Sequence, residues 1–417
     1  MTSIDPSILA DDPLLHEVWD RLGRPPRCRI TGGYIRDRLL GRQSNDLDLA
    51  VDGDADDAAP PARRLGRALG VRPHLLGTPP HQVWRIETPE LKVELWPLGA
   101  LTHQEDILRR DFTCNALSWE LPDGPLVDLV EGIPDIEVGR LRAISRSNLE
   151  DDPVRLLRGP RFLAQLTDFE VDGRTRTWIR ELAPTLAEAP RERVGQELLI
   201  LLGAPAASRG LRECLELGLV EPSAPPACSV DGSWLCAHTD TLDALNNVPD
   251  AGGTPEGRQF VGDLDAARLA LLFRAWGNPP DRDLAPYAWP KPVRENALRA
   301  AELLDEALAI VDAAPADRRE LAWRAGPAFS ALIALARAID PGRDGWPRWW
   351  RQWRRNPAAL EEPRPLLTGT EIAEVAGLAP GPELGAFVRG LLRAQVRGEI
   401  RSRGGAVRWL ARHTGSG

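Results

Sequence analysis

The sequence predicts a small mixed α/β unit ending near residue 145 and an all-helical remainder, and three patterns carry that reading. Short apolar runs at 27–31 and 46–51 flank Gly32-Gly33 and a brief amphipathic segment, 34–40, that reads as a helix. Three further runs, 71–76, 81–87 and 91–97, have strand character, with Val83, Arg85 and Glu87 alternating against Trp84 and Ile86. From about residue 148 helical periodicity with Arg/Glu faces dominates, broken by Pro/Gly joints near 203–205, 221–226, 249–256 and 277–290.

Among the remaining elements, 13–23 reads as a helix, and 56–69 as another, opened by acidic residues and prolines. The stretch 221–257 is rich in Pro, Gly and Asp and is expected to be a long loop. The 417 residues suffice for several domains and a sizeable core, and 43% hydrophobic with 27% charged residues fits a soluble globular chain. No apolar run approaches the roughly 20 residues that span a bilayer. The acidic start, with Asp5, Asp11 and Asp12, lacks the basic flank of a signal peptide, so a cytoplasmic protein is expected. Cys28, Cys114, Cys214, Cys228 and Cys236 follow no zinc or disulfide spacing and read as reduced, mostly buried thiols. The net charge of −9 argues against a generally basic nucleic-acid surface and leaves local patches to carry any such binding.

Asp46 and Asp48 are two apart in a strand and so project together, while Leu47 and Leu49 face the other way. Paired carboxylates repel unless cations lie between them, which makes them a natural Mg²⁺ site. Upstream, Gly32-Gly33 admits close approach of backbone N–H groups to a phosphate, and the helix beginning near Tyr34 adds its positive dipole end. Phosphates beside metal-binding carboxylates suggest phosphoryl or nucleotidyl transfer. Taken singly, Asp-x-Asp fits a solvated strand face and Gly-Gly a turn.

Further motifs follow. In Arg109-Arg110-Asp111-Phe112-Thr113-Cys114-Asn115, an Arg beside an Asp with an amide four residues on can hold a sugar hydroxyl and a phosphate, or form a structural ion pair. Asp152 and Arg155 share a helical face behind Pro153, and together can read a base edge or simply cap and brace the helix. Arg191-Glu192-Arg193-Val194-Gly195-Gln196-Glu197 opens another helix. Residues 343–355 interleave five Arg with four Trp, and 386–413 carry seven Arg against the single acid Glu399. Both stretches suit RNA, and both also suit tryptophans packed between helices under an arginine-covered surface.

In this order the motifs resemble the class II CCA-adding enzymes, a family that includes the bacterial poly(A) polymerases. They are Gly32 to Gly41, Asp46/Asp48, Arg109 to Ala116, Asp151 to Arg155 and Glu192 to Glu197, with a similar tail from Leu367 to Leu410. The resemblance implies a polymerase-β-like nucleotidyltransferase head over 1–145, a helical neck over 146–203, a body over 204–335 and a tRNA-binding tail over 336–417. It implies that Asp46 and Asp48 bind two Mg²⁺ ions, one to activate the RNA 3′-hydroxyl and one to stabilise the departing pyrophosphate, with Glu94 as a third acidic group. Gly32, Gly33 and Arg36 would meet the triphosphate, and Arg110, Asp111 and Asn115 the ribose and nearby groups. Asp152, Arg155 and Arg158 would contact the incoming nucleotide, and Arg389, Arg393 and Arg397 the RNA. The implied activity is addition of CC or CCA to the 3′ end of tRNA from CTP and ATP.

Four departures qualify the resemblance. Only Leu95 to Leu108 stand where the family has a long flexible loop that helps it switch to ATP, so addition of CC alone is a serious expectation. Asp151 replaces the commoner Glu, and Gly159-Pro160 interrupts the neck helix, where a proline should bend it. The body reads Arg274-Ala275 where some relatives carry a phosphohydrolase His-Asp pair, so His238 is expected to be structural. A poly(A) polymerase and a catalytically lapsed RNA-binding paralogue are the alternatives; the intact carboxylates and Arg110-Asp111 count against the second.

Overall fold

The structure is a computed structural model that describes residues 7–78, 82–246, 255–343, 345–346, 349 and 363–414, with the side chains of 255–263 left aside. The contacts divide the chain into two compact units: one comprises Met1–Ala189 with Leu217–Leu219, the other Pro190–Glu216 with Val220–Gly417.

The first unit is built on a seven-stranded sheet of β1 (Cys28–Thr31), β2 (Asp46–Val51), β3 (His74–Leu76), β4 (Val83–Glu87), β5 (Lys92–Pro97), β6 (Leu117–Glu120) and β7 (Leu126–Asp128). The order is β3-β4-β5-β2-β1-β6-β7, and β2 runs parallel to β5 while the other neighbours are antiparallel. Only 74–76 of the strand expected at 71–76 pairs, because Gly66, Val71 and Pro73 form a tight corner; a Cβ on Gly66 would lie 2.6 Å from the Pro73 ring.

Helix α1 (Pro13–Leu22), α2 (Gly33–Leu39) and α3 (Ala55–Leu69) accompany the sheet. Asp54 opens α3 with a capping box to Asp57, and the helix offers Ala58, Ala59, Ala62 and Leu65 to the core. The buried Asp12 caps α1, accepts from the Tyr34 hydroxyl at 2.8 Å and pairs with Arg38 at 2.7 Å, fixing α2. Gly41 then ends α2 in the left-handed region: its N–H reaches Arg38 and that of Arg42 reaches Asp37, the paired bonds of a Schellman turn.

Helix α4 (His103–Leu108), α5 (Arg155–Gln165) and α6 (Gly173–Leu182) complete the parts used below, and Arg140–Leu141 pairs in parallel with Glu170–Val171. Gly159-Pro160, where a bend is expected, lies inside α5, which continues through it to Gln165. Gly159 serves packing instead, since a Cβ there would lie 3.1 Å from Ile179 and 3.6 Å from Phe112.

The second unit is helical. It includes α7 (Arg191–Leu202), α8 (Pro255–Ala275), α9 (Lys291–Ile310), α10 (Pro315–Ala325), α11 (Phe329–Ile339), α12 (Gly369–Ala376), α13 (Pro382–Arg397) and α14 (Arg403–His413). The long loop expected at 221–257 instead holds short helices, Val220–Ser223, Gly232–Ala237 and Asp240–Asn246, and α8 begins at 255; residues 247–254 lie outside the described ones. The Asp231 carboxylate caps the second of these, and Leu235, Leu242 and Leu245 bury one side, so polar composition concealed a helical pattern. His238 stacks on Trp234 and hydrogen-bonds its carbonyl at 2.8 Å. Trp346 and Trp349 are buried and stack with ring centroids 5.9 Å apart, so these two of the Arg/Trp stretch are core; residues 350–355 lie outside the described ones. Cys28, Cys114 and Cys214 are buried, Cys228 is half-buried and Cys236 is exposed, all as free thiols. Among the described residues no helix is long and apolar enough to cross a membrane.

Candidate active site

The site is assembled on the polar face at the middle of the sheet. Asp46 and Asp48 lie two apart on β2, and the parallel register sets Lys92 opposite Asp46 and Glu94 opposite Asp48. The Lys92 ammonium is 3.1 Å from Asp46 and 3.5 Å from Glu94, and the Arg85 Nε donates to Glu94 at 2.8 Å. Glu94 therefore faces the pair but is already engaged by two cations. Burial, with Asp46 and Glu94 adding repulsion, pushes the Asp48 carboxyl up to about 6 despite Arg110 and Lys92. Such a pair favours an added positive charge, and its hard oxygen donors suit a divalent cation. Among the described residues no group of three His, Cys, Asp or Glu side chains forms a metal cage.

Gly32 precedes α2 with φ 76°. A Cβ here would stand 3.1 Å from Arg110 Nη1 and 3.6 Å from Asp48 Oδ2, so glycine keeps the space between them open. Its own N–H is not offered to a phosphate as expected; it donates to the Leu117 carbonyl at 3.2 Å and extends the sheet. Gly33 is the first residue of α2, where a Cβ would press within 3.3 Å of the Arg36 guanidinium. Arg110 is held from two sides, donating to Thr31 Oγ1 at 2.9 Å and Asp106 at 3.0 Å, while the Thr31 hydroxyl donates to the Asp48 carbonyl at 3.2 Å.

A second network adjoins in the sequence motif itself. Arg36 donates to Asn115 Oδ1 at 2.5 Å, and Asn115 Nδ2 donates to Asp111 at 3.3 Å. Asp111 also accepts from the Phe112 N–H at 2.7 Å and from Arg158 Nε at 2.5 Å. Burial opposes its ionisation, but Arg158, the Phe112 N–H, Asn115 and Arg155 together outweigh that and hold the carboxyl at about 2. Arg36, Asp111, Asn115 and Arg158 thus form one connected group.

Asp152 and Arg155 engage each other and nearby backbone groups. Asp152 accepts from the Val154 N–H at 3.3 Å and lies 3.6 Å from Arg155, whose Nη1 donates to the carbonyls of Arg109 at 2.7 Å and Asn148 at 3.0 Å. These contacts include the ion pair of the plainer reading, but Val154 stands at the start of α5 with no side-chain cap. They also lock the start of α5 onto the motif that carries Arg110 and Asp111.

Thr31, Arg85, Lys92 and Asp106 were not singled out by sequence reasoning. Arg85 had a visible signal, being on the polar side of an alternating strand, but its pairing with Glu94 depends on the β4–β5 register.

In the second unit, Arg397, expected to contact RNA, is engaged by acidic side chains. Its guanidinium is bound to Asp317 at 2.8 Å, Glu320 at 2.7 Å and Glu399 at 2.8 Å, tying α13 to α10. Arg393 pairs with Glu320 at 2.6 Å. Arg389 has no acidic partner among the described residues and lines a cavity of about 420 Å³ with Trp323, Arg324 and Arg393.

A mixed sheet that presents paired aspartates on its central strand, followed by helices, defines a polymerase-β-like nucleotidyltransferase. The comparisons agree: residues 28–68 and 78–142 match the poly A polymerase head domain, and 168–229 match the probable RNA and SrmB-binding site of polymerase A. The chain is 30% identical to the A-adding tRNA nucleotidyltransferase of Deinococcus radiodurans, over 94% of this chain and 98% of that one. It is 31% identical to the CC-adding tRNA nucleotidyltransferase of Thermus thermophilus, over 88% and 89%. The Bacillus stearothermophilus CCA-adding enzyme, solved in complex with CTP, superposes with a TM-score of 0.71 at 22% identity, over 97% of this chain and 98% of that one. The chain belongs to the family of CCA-adding enzymes and bacterial poly(A) polymerases.

Proposed function

We propose that this nucleotidyltransferase adds two cytidines to the 3′ end of tRNA from CTP, releasing pyrophosphate, with Mg²⁺ held by Asp46 and Asp48. The observation that carries CC addition is the link between β5 and α4. Leu98 and Gly99 bond back to Val51 and Gly53, and Thr102 with Glu105 closes a capping box at once, so the family's long loop has no counterpart. The metal supplies charge neutralisation of the phosphates and activation of the RNA 3′-hydroxyl. Asp46 and Asp48 hold it. Arg110, braced by Thr31 and Asp106, presents a fixed positive charge beside Asp48. Arg36 and Arg158, anchored on Asn115 and Asp111, carry the charge that binds the triphosphate. Asp152 and Arg155, freed from each other, offer an acceptor and a donor fork to the incoming base in place of a template.

A second reading, addition of the terminal A alone, is favoured by the near full-length similarity to the Deinococcus enzyme. The test is extension of tRNA transcripts ending at the discriminator base or in CC, with CTP, ATP or both. Two additions with CTP and none beyond with ATP are expected; a third addition when ATP is present would make it a CCA-adding enzyme in which the short segment 95–108, or another element, replaces the long loop. Extension of only the CC-ended transcript by ATP would replace this reading with the second, and an ATP-only homopolymer would make it a poly(A) polymerase.

A further inference from the structure

Three guanidinium groups gather on one phenylalanine in the first unit. The Phe162 ring centroid is 5.3 Å from Arg36, 5.4 Å from Arg158 and 4.3 Å from Arg161. Phe162 itself is 4% exposed, and its ring meets that of Phe112 edge to face, 5.7 Å apart at 85°. Arg36 comes from α2 in the head, whereas Arg158 and Arg161 come from α5, so the ring is where the two elements meet.

Like charges brought this close repel, and something must offset that. Asp37 and Asp111 bind Arg36 and Arg158 from the side, through their Nε groups. The ring's quadrupole supplies further attraction, strongest for Arg36, whose side chain is 9% exposed, because a cation–π contact gains as water is excluded. Guanidinium is weakly hydrated and planar, so it tolerates this seat far better than an ammonium would. Removing the aromatic face would take that attraction from Arg36 and Arg158 and leave their polar contacts, Asp37, Asn115 and Asp111 among them, to orient them.

We propose that Phe162 is a positioning residue for nucleotide binding: its ring fixes Arg36 and Arg158 in the arrangement that receives a triphosphate. Phe162 does not itself touch the nucleotide. The proposal rests on the reading that these two arginines bind the triphosphate, and it adds that their placement depends on an aromatic quadrupole rather than on apolar volume.

The experiment is a graded one. Phe162 is replaced by mono-, di- and trifluorophenylalanine, which withdraw electrons from the ring face at nearly constant volume, and by Leu. CTP affinity is measured at equilibrium with Mg²⁺, alongside tRNA affinity, melting temperature, and KM and kcat for extension. CTP affinity should fall stepwise with fluorination, by about tenfold over the series, with KM rising in step while tRNA affinity and kcat hold. Phe162→Leu should weaken CTP at least as much as the trifluoro variant. A CTP affinity that stays flat across the fluorinated series, in a protein whose unmodified form binds CTP and extends tRNA, overturns the role of Phe162 and leaves the proposed function standing. An unmodified protein that neither binds CTP nor extends tRNA removes both.

Discussion

Asp48 combines burial with two acidic neighbours and contributes little to the core. Asp48→Ala is therefore expected to abolish extension while leaving the melting curve of the first unit intact; measurable turnover would remove Asp48 from metal binding. Asp111 works in the opposite sense. Its carboxyl is held at about 2, against 3.8 ordinarily, so its ionised form stabilises the fold. By linkage that stabilisation is complete above about pH 4 and is lost as pH falls through about 2, with a size of about 2 kcal/mol. Asp111→Asn should thus be destabilised by about that amount at pH 7 in urea unfolding, and the gap should close between pH 4 and 2. The aspartate pair was legible in sequence because strand alternation is a local rule. Thr31 and Arg85 were not, since they acquire their partners through strand pairing that no short window contains, whereas Asp106 and Arg110, four residues apart, lay within reach of a local reading.

At the scale of elements, the start of α5 and the start of α7 show how a motif can be read correctly in place yet differently in role. Asp152 and Arg155 pair at the start of α5. Asp152→Ala should blur the preference between CTP and ATP more than it slows turnover, as measured by competition for the same transcript; an unchanged preference would leave Asp152 a structural partner of Arg155. In α7, Gly195 sits against the backbone of the aromatic segment at 287–289: a Cβ would stand 2.5 Å from the Tyr287 carbonyl, and Trp289 donates to the Gly195 carbonyl at 2.9 Å. Gly195→Ala is expected to cost about 1–3 kcal/mol in urea unfolding through overpacking. The sequence motif around it read as a charged helix face, and the charges hid the glycine that does the packing. The same concealment made 221–257 look like a loop: proline and aspartate counts are averages, whereas Asp231 caps one short helix by its position.

For the whole molecule, the division between catalytic charge and structural charge separates residues that look alike in sequence. Arg389 and Arg397 stand on the same helix, two turns apart, but only Arg397 is consumed by acids. Arg389→Ala should weaken tRNA binding and flatten its salt dependence, whereas Arg397→Ala should lower the melting temperature of the second unit with little change in salt slope. Chelation of divalent cations should stop extension altogether, and added Mg²⁺ should restore it. The sequence revealed the succession of a sheet and then helices, because periodicity survives over long windows; it could not reveal which arginines were already spent. The bond from Arg158 to Asp111 has one more consequence, for how the protein is made. A nascent chain that has emerged only as far as residue 145 contains every strand of the sheet, yet holds Asp111 in the interior without its counter-charge. The head should therefore stay protease-sensitive on the ribosome until α5 has cleared the exit tunnel, and a fragment cut at the apparent end of the sheet should be the wrong piece to express.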